Sequence, residues 1–202
     1  MAYRSMFFET RLPKELCDCL ITELSKATIL SKKGTVGDQT NNTEKKAIRD
    51  SDISWIQDDH WVAGMLWHYL QRANIFNWKY DLWTWDQGTL QLTTYGPGQH
   101  YRWHQDSNML MVSGAATPIS QHPDPSRDLV RKLSVSLILT EAGEDHEGGE
   151  FQLMAGHQEM ISFPAKRGQI IVFDSTMTHR VRPVKSGRRA SIVGWAVGPR
   201  WR

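Results

Sequence analysis

The spacing of apolar residues divides this chain into a helical first part and a strand-rich remainder. Over 12–27, Leu16, Leu20 and Leu24 fall on one stripe with Ile21 and Ala27, and Pro13 suits the first turn of a helix. Over 59–74, Trp61, Val62, Met65, Leu66, Tyr69, Leu70 and Ala73 share a second helical face, with Asp58 or Asp59 as its N-cap. From residue 89 the period shortens to two, and Leu90 and Leu92 alternate with Gln91, Thr93 and Tyr95. In 132–140, Leu133, Val135, Leu137 and Leu139 alternate with Ser134, Ser136, Ile138 and Thr140. Shorter strand candidates at 150–153, 158–163, 169–173, 179–182 and 188–197 are punctuated by Gly and Pro. Helices followed by short strands predict an α+β chain, its helices packed on one face of an antiparallel barrel or sandwich.

The alternation in 132–140 also bears on function. Its leucine face can pack on the helices, which leaves Ser134 and Ser136 looking into the barrel. A serine-lined interior suits a polar ligand better than a purely structural core does. Two stretches lack any period. Residues 31–50 are polar and Gly/Asn-rich and read as a mobile loop of lid length, and 107–131 reads as an insert between the two halves of the strand region.

Composition narrows the class. A chain of 202 residues suits one domain, with a core region at 86–198 and helical support plus the loop at 1–85. The net charge of +2 and a pI near 8.6 are too mild to argue for nucleic-acid binding by electrostatics. Cys17 and Cys19 sit two apart on a helix, where they cannot bridge, so a reducing, cytoplasmic setting is expected. The opening MAYRSMFFETRLPKEL holds no apolar run of signal length, and no stretch has the length of a membrane span. The nine tryptophans, several of them clustered at 55–85, are expected in the core.

The chemistry lies in YGPGQHYRWHQD (95–106) and THRVRPVKSGRRASIVGW (178–195). His104 and Asp106 form a His-x-Asp pair at a strand end, where side chains two apart point the same way. His179 opens a later strand. Two imidazoles and a carboxylate can hold one face of a mononuclear Fe(II) octahedron and leave three positions open. A second His-x-Asp, His122-Pro123-Asp124, lies among prolines in a loop and is the weaker pair. On 188–197, Arg189, Ser191, Val193 and Trp195 share one face, and Arg188, Ala190 and Ile192 share the other. An arginine facing a barrel interior needs an anionic partner. That partner is a protein carboxylate or a ligand such as 2-oxoglutarate, and reversed parity would make Arg188 the inward residue.

At these residues the chain resembles the prolyl-4-hydroxylase branch of the Fe(II)/2-oxoglutarate dioxygenases, in its compact bacterial and phage form. The resemblance runs through Tyr95-Gly96, Gly98, Tyr101, His104 and Asp106, then Arg131-Lys132-Leu133-Ser134 with Leu137 and Leu139. It continues through Gly148-Gly149-Glu150-Phe151, Phe163-Pro164, Gly168 to Phe173, and His179 through Val181, Pro183-Val184 and Gly187 to Arg189 and Ser191. It implies a double-stranded β-helix (a jelly-roll barrel) with N-terminal helices packed on the larger sheet. It implies iron ligands at His104, Asp106 and His179, and Arg189 on the far carboxylate of 2-oxoglutarate. Ser191 and Tyr95 would be polar contacts, with Trp195 and Phe151 walling the pocket. Several relatives place a tyrosine where this chain reads Ser136-Leu137-Ile138; Ser136 is the candidate replacement.

The expected reaction is hydroxylation of a C–H bond with O2, coupled to decarboxylation of 2-oxoglutarate to succinate, with ascorbate as a further cofactor. The leading substrate is a prolyl residue in a peptide or protein. A prolyl ring asks for apolar walls and few donors, and Trp103, Trp55, Tyr101 and Met109 are the candidate walls. The alternative keeps the mechanism on a free amino acid, a small metabolite or a methylated nucleobase. Lys/Arg pairs at 32–33, 45–46 and 188–189 keep the nucleobase open. A catalytically silent interaction barrel would lack a ligand or the arginine, and neither is missing. The sequence does not specify the oligomeric state.

Overall fold

The computed structural model of the chain describes residues 3–8, 11–26, 32–33, 48–107, 129–155 and 159–200. Two α-helices run over Lys14–Lys26 (α1) and Trp61–Ala73 (α2). The earlier strands are β1 (Ser5–Phe8), β2 (Lys32–Lys33), β3 (Arg49–Asp50), β4 (Asp52–Gln57), β5 (Thr84–Tyr95), β6 (His100–His104) and β7 (Leu129–Ile138). The later ones are β8 (His146–Gly148), β9 (Phe151–Met154), β10 (Met160–Phe163), β11 (Ile170–Asp174), β12 (His179–Val181), β13 (Val184–Gly187) and β14 (Arg189–Pro199). The larger sheet has the order β1-β11-β7-β14-β5-β4-β2, and the smaller one β10-β9-β12-β6-β3. β8 and β13 form a separate ribbon. All the pairings between these strands are antiparallel.

Two cores follow from the period-two strands. The outward face of the larger sheet buries Leu133, Val135, Leu137, Leu90, Leu92 and Ile192 against the helices, which contribute Cys17, Leu20, Leu66 and Leu70. Truncating Leu66 or Leu70 to Ala would cost about 2–5 kcal/mol, because neither can be replaced by solvent without leaving a cavity. The inward face meets the smaller sheet through Ile138, Ile171, Phe173, Phe151, Leu153 and Val181. Ser134 and Ser136 look inward too, as their alternation predicts, because each leucine neighbour is committed to the helical side.

The structure departs from the sequence reading at several places. The N-cap of α2 is His60, neither Asp58 nor Asp59; its imidazole accepts from the Val62 amide at 3.3 Å. Asp58 is held back by its own amide, which donates to Gly88 O at 2.9 Å and ties it to the positive-φ glycine within β5. A π-helical turn, Asn74–Trp78, extends the helix past its expected end. The Asn74 side chain then brackets the Tyr80 backbone, donating to its carbonyl and accepting from its amide, each at 2.8 Å. Trp78 and Trp85 are core, whereas Trp55, Trp61 and Trp83 are 43%, 46% and 56% exposed, so tryptophan count was a poor guide to burial here. Residues 34–47 of the expected loop and 108–128 of the expected insert lie outside the described residues, as do Met109 and the His122–Asp124 pair.

Candidate metal centre and cosubstrate pocket

His104 of β6 and His179 of β12 are direct partners in the smaller sheet, so both imidazoles leave the same face, with ring centroids 4.0 Å apart. Each ring is fixed by the carbonyl two residues before it. His104 Nδ1 lies 2.8 Å from Arg102 O, and His179 Nδ1 lies 3.0 Å from Met177 O. A carbonyl can only accept, so each Nδ1 carries the hydrogen and each Nε2 presents a lone pair.

Asp106 lies beyond the end of β6, so strand alternation does not place it. Its amide donates to Ser175 O at 3.1 Å, and its Oδ2 accepts from the Ser134 hydroxyl at 2.8 Å. The carboxylate thereby stands 3.7 Å from His104 Nε2 and 3.4 Å from His179 Nε2. One ligand atom from each of the three residues lies within 4.8 Å of the others. Burial, then the neighbouring His179, pushes the His104 imidazole down to about 3, so it is neutral at physiological pH. Burial alone would raise Asp106, yet the two imidazoles, Arg131 and a Trp195 hydrogen bond bring its carboxyl below the ordinary range. Imidazole lone pairs and an ionised carboxylate are the donor set a ferrous ion takes.

Aromatic rings enclose this cluster. Tyr101 stacks on His104 with centroids 3.4 Å apart and planes 16° from parallel. Residues three apart share a face here because the register of β6 against β12 shifts between them. Phe173 and Phe151 approach His179 at 4.8 and 5.7 Å. Arg49 lies 4.7 Å over the Tyr101 ring and donates to Ser51 Oγ and Gln91 Oε1. Trp55 is the register partner of Gln91 and shares its face of the larger sheet. Trp103 instead packs under Arg180, which alternates with His179 along β12.

The larger sheet's inward face is ordered in rows by its register. Trp195 lies beside Ser134 and Phe173; Val193 beside Ser136, Ile171 and Gln91; Ser191 beside Ile138 and Thr93; Arg189 beside Tyr95. Arg189 is 1% exposed, whereas Arg188 is exposed and donates to Thr94 Oγ1 at 3.1 Å. The Arg189 guanidinium donates to Ser191 Oγ at 3.0 Å and lies 5.5 Å from the Tyr95 ring, and its Nε has no partner. Among the described residues no carboxylate pairs with it, and burial lowers its pKa with only Tyr95 opposing. A guanidinium so placed is costly unless an anion joins it.

Ser134, Ser175 and Phe173 are site residues that the sequence reading did not assign. Serine parity pointed to Ser134, but nothing in the sequence pairs it with Asp106 across 28 positions of chain.

Lone pairs, a carboxylate and an uncompensated arginine on the inner wall of a double-stranded β-helix define a class: barrels suited to a mononuclear ferrous centre and an anionic cosubstrate. The chain belongs to the 2OG-Fe(II) oxygenase superfamily, whose profile matches residues 90–197. A PKHD-type hydroxylase of Synechococcus sp. (strain CC9902) is 40% identical over 100 residues, covering 48% of this chain and 36% of that protein. The matches span well under half the length of such curated relatives. A prolyl-4-hydroxylase of Pseudomonas putida superposes with a TM-score of 0.69 at 21% identity, covering 96% of this chain and 92% of that one. A prolyl hydroxylase from Trichoplax adhaerens, solved with a hypoxia inducible factor peptide fragment, gives 0.71 at 17% identity over 96% of this chain and 83% of that one. These likenesses establish the fold that the sequence resemblance implied.

Proposed function

We propose that this protein is an Fe(II)- and 2-oxoglutarate-dependent hydroxylase of prolyl residues in a peptide or protein. The observation that carries the reading is Arg189, a buried cation with no acid beside it among the described residues, on the same inward face as Ser134, which holds Asp106. Ferrous iron bound by His104, Asp106 and His179 would supply the oxidative chemistry, converting O2 and 2-oxoglutarate to succinate, CO2 and a hydroxylated product.

The chain's own residues bind, orient and enclose. Arg189 would take the far carboxylate as a charge-assisted pair, with Ser191 and Tyr95 beside it. Ser136 faces the same interior, and Phe151 and Trp195 would wall the pocket against water. Trp55 and Tyr101 would form apolar walls for a prolyl ring, Met109 and Trp103 being the further candidates. Ascorbate would keep the iron ferrous between turnovers. Residues 86–198 would form the catalytic core braced by 1–85, in line with the family match at 90–197. The peptide substrate is supported by the prolyl hydroxylases among the fold's neighbours.

No helix among the described residues is long and apolar enough to cross a membrane. Two free cysteines, Cys17 and Cys19, support a reducing, cytoplasmic setting.

Arg49 favours a second reading. It is 7% exposed and, among the described residues, bonded to neutral oxygens alone, beside Tyr101, where the carboxylate of a free amino acid could pair with it. One experiment separates the two. Protein loaded anaerobically with Fe(II) is given 2-oxoglutarate, ascorbate and O2 with a panel of proline-rich peptides, free amino acids and methylated nucleobases. Succinate release and a peptide one oxygen atom heavier at proline are expected. Stimulation by a free amino acid or nucleobase, with none by any peptide, would replace this reading by the second.

A further inference from the structure

Three buried polar atoms without a partner gather at the Arg189 end of the barrel: Arg189 Nε, Thr93 Oγ1 and His146 Nε2. Thr93 is the register partner of Ser191, the residue that accepts from Arg189. His146, 3% exposed on β8, approaches from outside the larger sheet. Gly149 brings it there. A Cβ at Gly149 would stand 2.9 Å from Arg189 Cδ, 3.1 Å from Val184 Cγ2 and 3.6 Å from His146 Cε1. The arginine's arm and the imidazole therefore flank one glycine, whose φ of +71° is itself a conformation side chains disfavour.

The hydrogen-bond pattern sets the ring's state. His146 Nδ1 lies 3.0 Å from Gly148 O, so Nδ1 carries the hydrogen and Nε2 is a bare lone pair. Burial, then the Arg189 charge, disfavours a second proton, against the Gly148 bond and the flanking Asp145 and Glu147. β13 pairs with His146 through Gly187 and carries Lys185, which packs against Gly148. A buried acceptor beside a buried cation, both unsatisfied, is costly in a finished site and sensible in one that awaits an anion.

We propose that His146 is a second contact for the far carboxylate of the dicarboxylate cosubstrate, its Nε2 taking a proton from solvent as the anion settles on Arg189. The inference rests on the cosubstrate reading given above. The incoming charge cancels the Arg189 repulsion that keeps the imidazole neutral, and the protonated Nε2 becomes a donor. One proton moves from buffer to ring nitrogen, and no other bond changes. The carboxylate would then meet a guanidinium, an imidazolium and the Thr93 hydroxyl. Cosubstrate affinity would rise as pH falls through neutrality, because the bound state holds the extra proton.

Calorimetry tests this without turnover. The full chain, loaded anaerobically with Fe(II), is titrated with 2-oxoglutarate at one pH in two buffers of different ionisation enthalpy. The wild type should take up about one proton per 2-oxoglutarate. His146→Phe should take up none and bind at least about tenfold more weakly, having lost a charge-assisted donor. His146→Gln, which keeps an amide donor and cannot titrate, should bind more tightly than His146→Phe with no uptake, and it stands in if the Phe variant does not fold. The proposal is overturned if the wild type binds without uptake, or if either variant retains the wild-type uptake. Iron-loaded wild type that binds no 2-oxoglutarate in any buffer would instead overturn the cosubstrate reading itself.

Discussion

The Ser134 hydroxyl reaches Asp106 Oδ2 at 2.8 Å and Ser175 Oγ at 2.9 Å, so a side chain of the larger sheet holds the one carboxylate of a cluster whose imidazoles belong to the smaller sheet. Partners of this kind orient a ligand, and their loss typically weakens metal affinity by about 10–100-fold. Ser134→Ala should show that loss in an anaerobic Fe(II) titration, with the protein still folded. An unchanged affinity would mean that the Ser175 carbonyl and the Trp195 hydrogen bond suffice to position Asp106.

Iron binding should require His104, Asp106 and His179 together. Alanine at any of the three should abolish stoichiometric Fe(II) binding, and His122→Ala should leave it intact. Metal content after desalting decides between the two His-x-Asp pairs. Iron retained by His104→Ala and lost from His122→Ala would transfer the site to the other pair.

Arg189 should behave as a binding residue that costs stability. Arg189→Met removes a buried unpaired charge while keeping apolar volume. The cosubstrate-free protein should then be as stable or more so, by about 1–4 kcal/mol. The same change should cost about 2–5 kcal/mol of 2-oxoglutarate binding. Arg188→Met, on the exposed face, should do neither. Thermal melts with and without 2-oxoglutarate check both effects, since a ligand raises the melting temperature only of a protein that binds it.

The metal-free protein should lose stability as pH falls from about 6.5 toward 3. His104 titrates at about 3 when folded and at its ordinary value when unfolded, so the unfolded chain binds more protons throughout that window. Its contribution is complete above the unfolded value and disappears as pH falls through the folded one. His146, also lowered, adds in the same direction. Asp106 is depressed below the ordinary carboxyl value, so its contribution fails only at the acid end. The melting temperature should therefore drop between pH 7 and pH 5 in the wild type and drop less in His104→Phe. Equal slopes in the two proteins would contradict the assignment.

Where alternation was strict, the sequence was readable. The serine face of β7 and the inward turn of Arg189 follow from parity, because a one-residue error would put Leu137 or Ala190 into the barrel. β4 carries no period-two signal because Ile53 and Ile56 are three apart and serve opposite faces, Ile53 opposite Thr93 and Ile56 opposite Leu90. Tyr101 was legible as a neighbour of the site, but its stacking on His104 depends on a register shift that spacing does not encode. His60 took the cap of α2 because a backbone bond from Asp58 to a residue thirty positions away outweighed the better capping side chains. His146 is not legible in the sequence for a related reason: its significance lies in Arg189, more than forty positions on, and in the glycine between them. Local pattern predicted faces and ligand types; bonds between distant segments decided geometry.

The carboxylate in one ion's reach is tied to the larger sheet through Ser134 and Ser175, while both imidazoles hang from the smaller sheet. A ferrous ion would therefore act as a rivet at the end of the barrel that carries these three residues, joining two layers that no strand pairing connects among the described residues. Removing it with a chelator should do more than silence chemistry. It should let the sheets part first at that end, so that amides of β6 and β12 exchange with solvent sooner than those of β7 and β14.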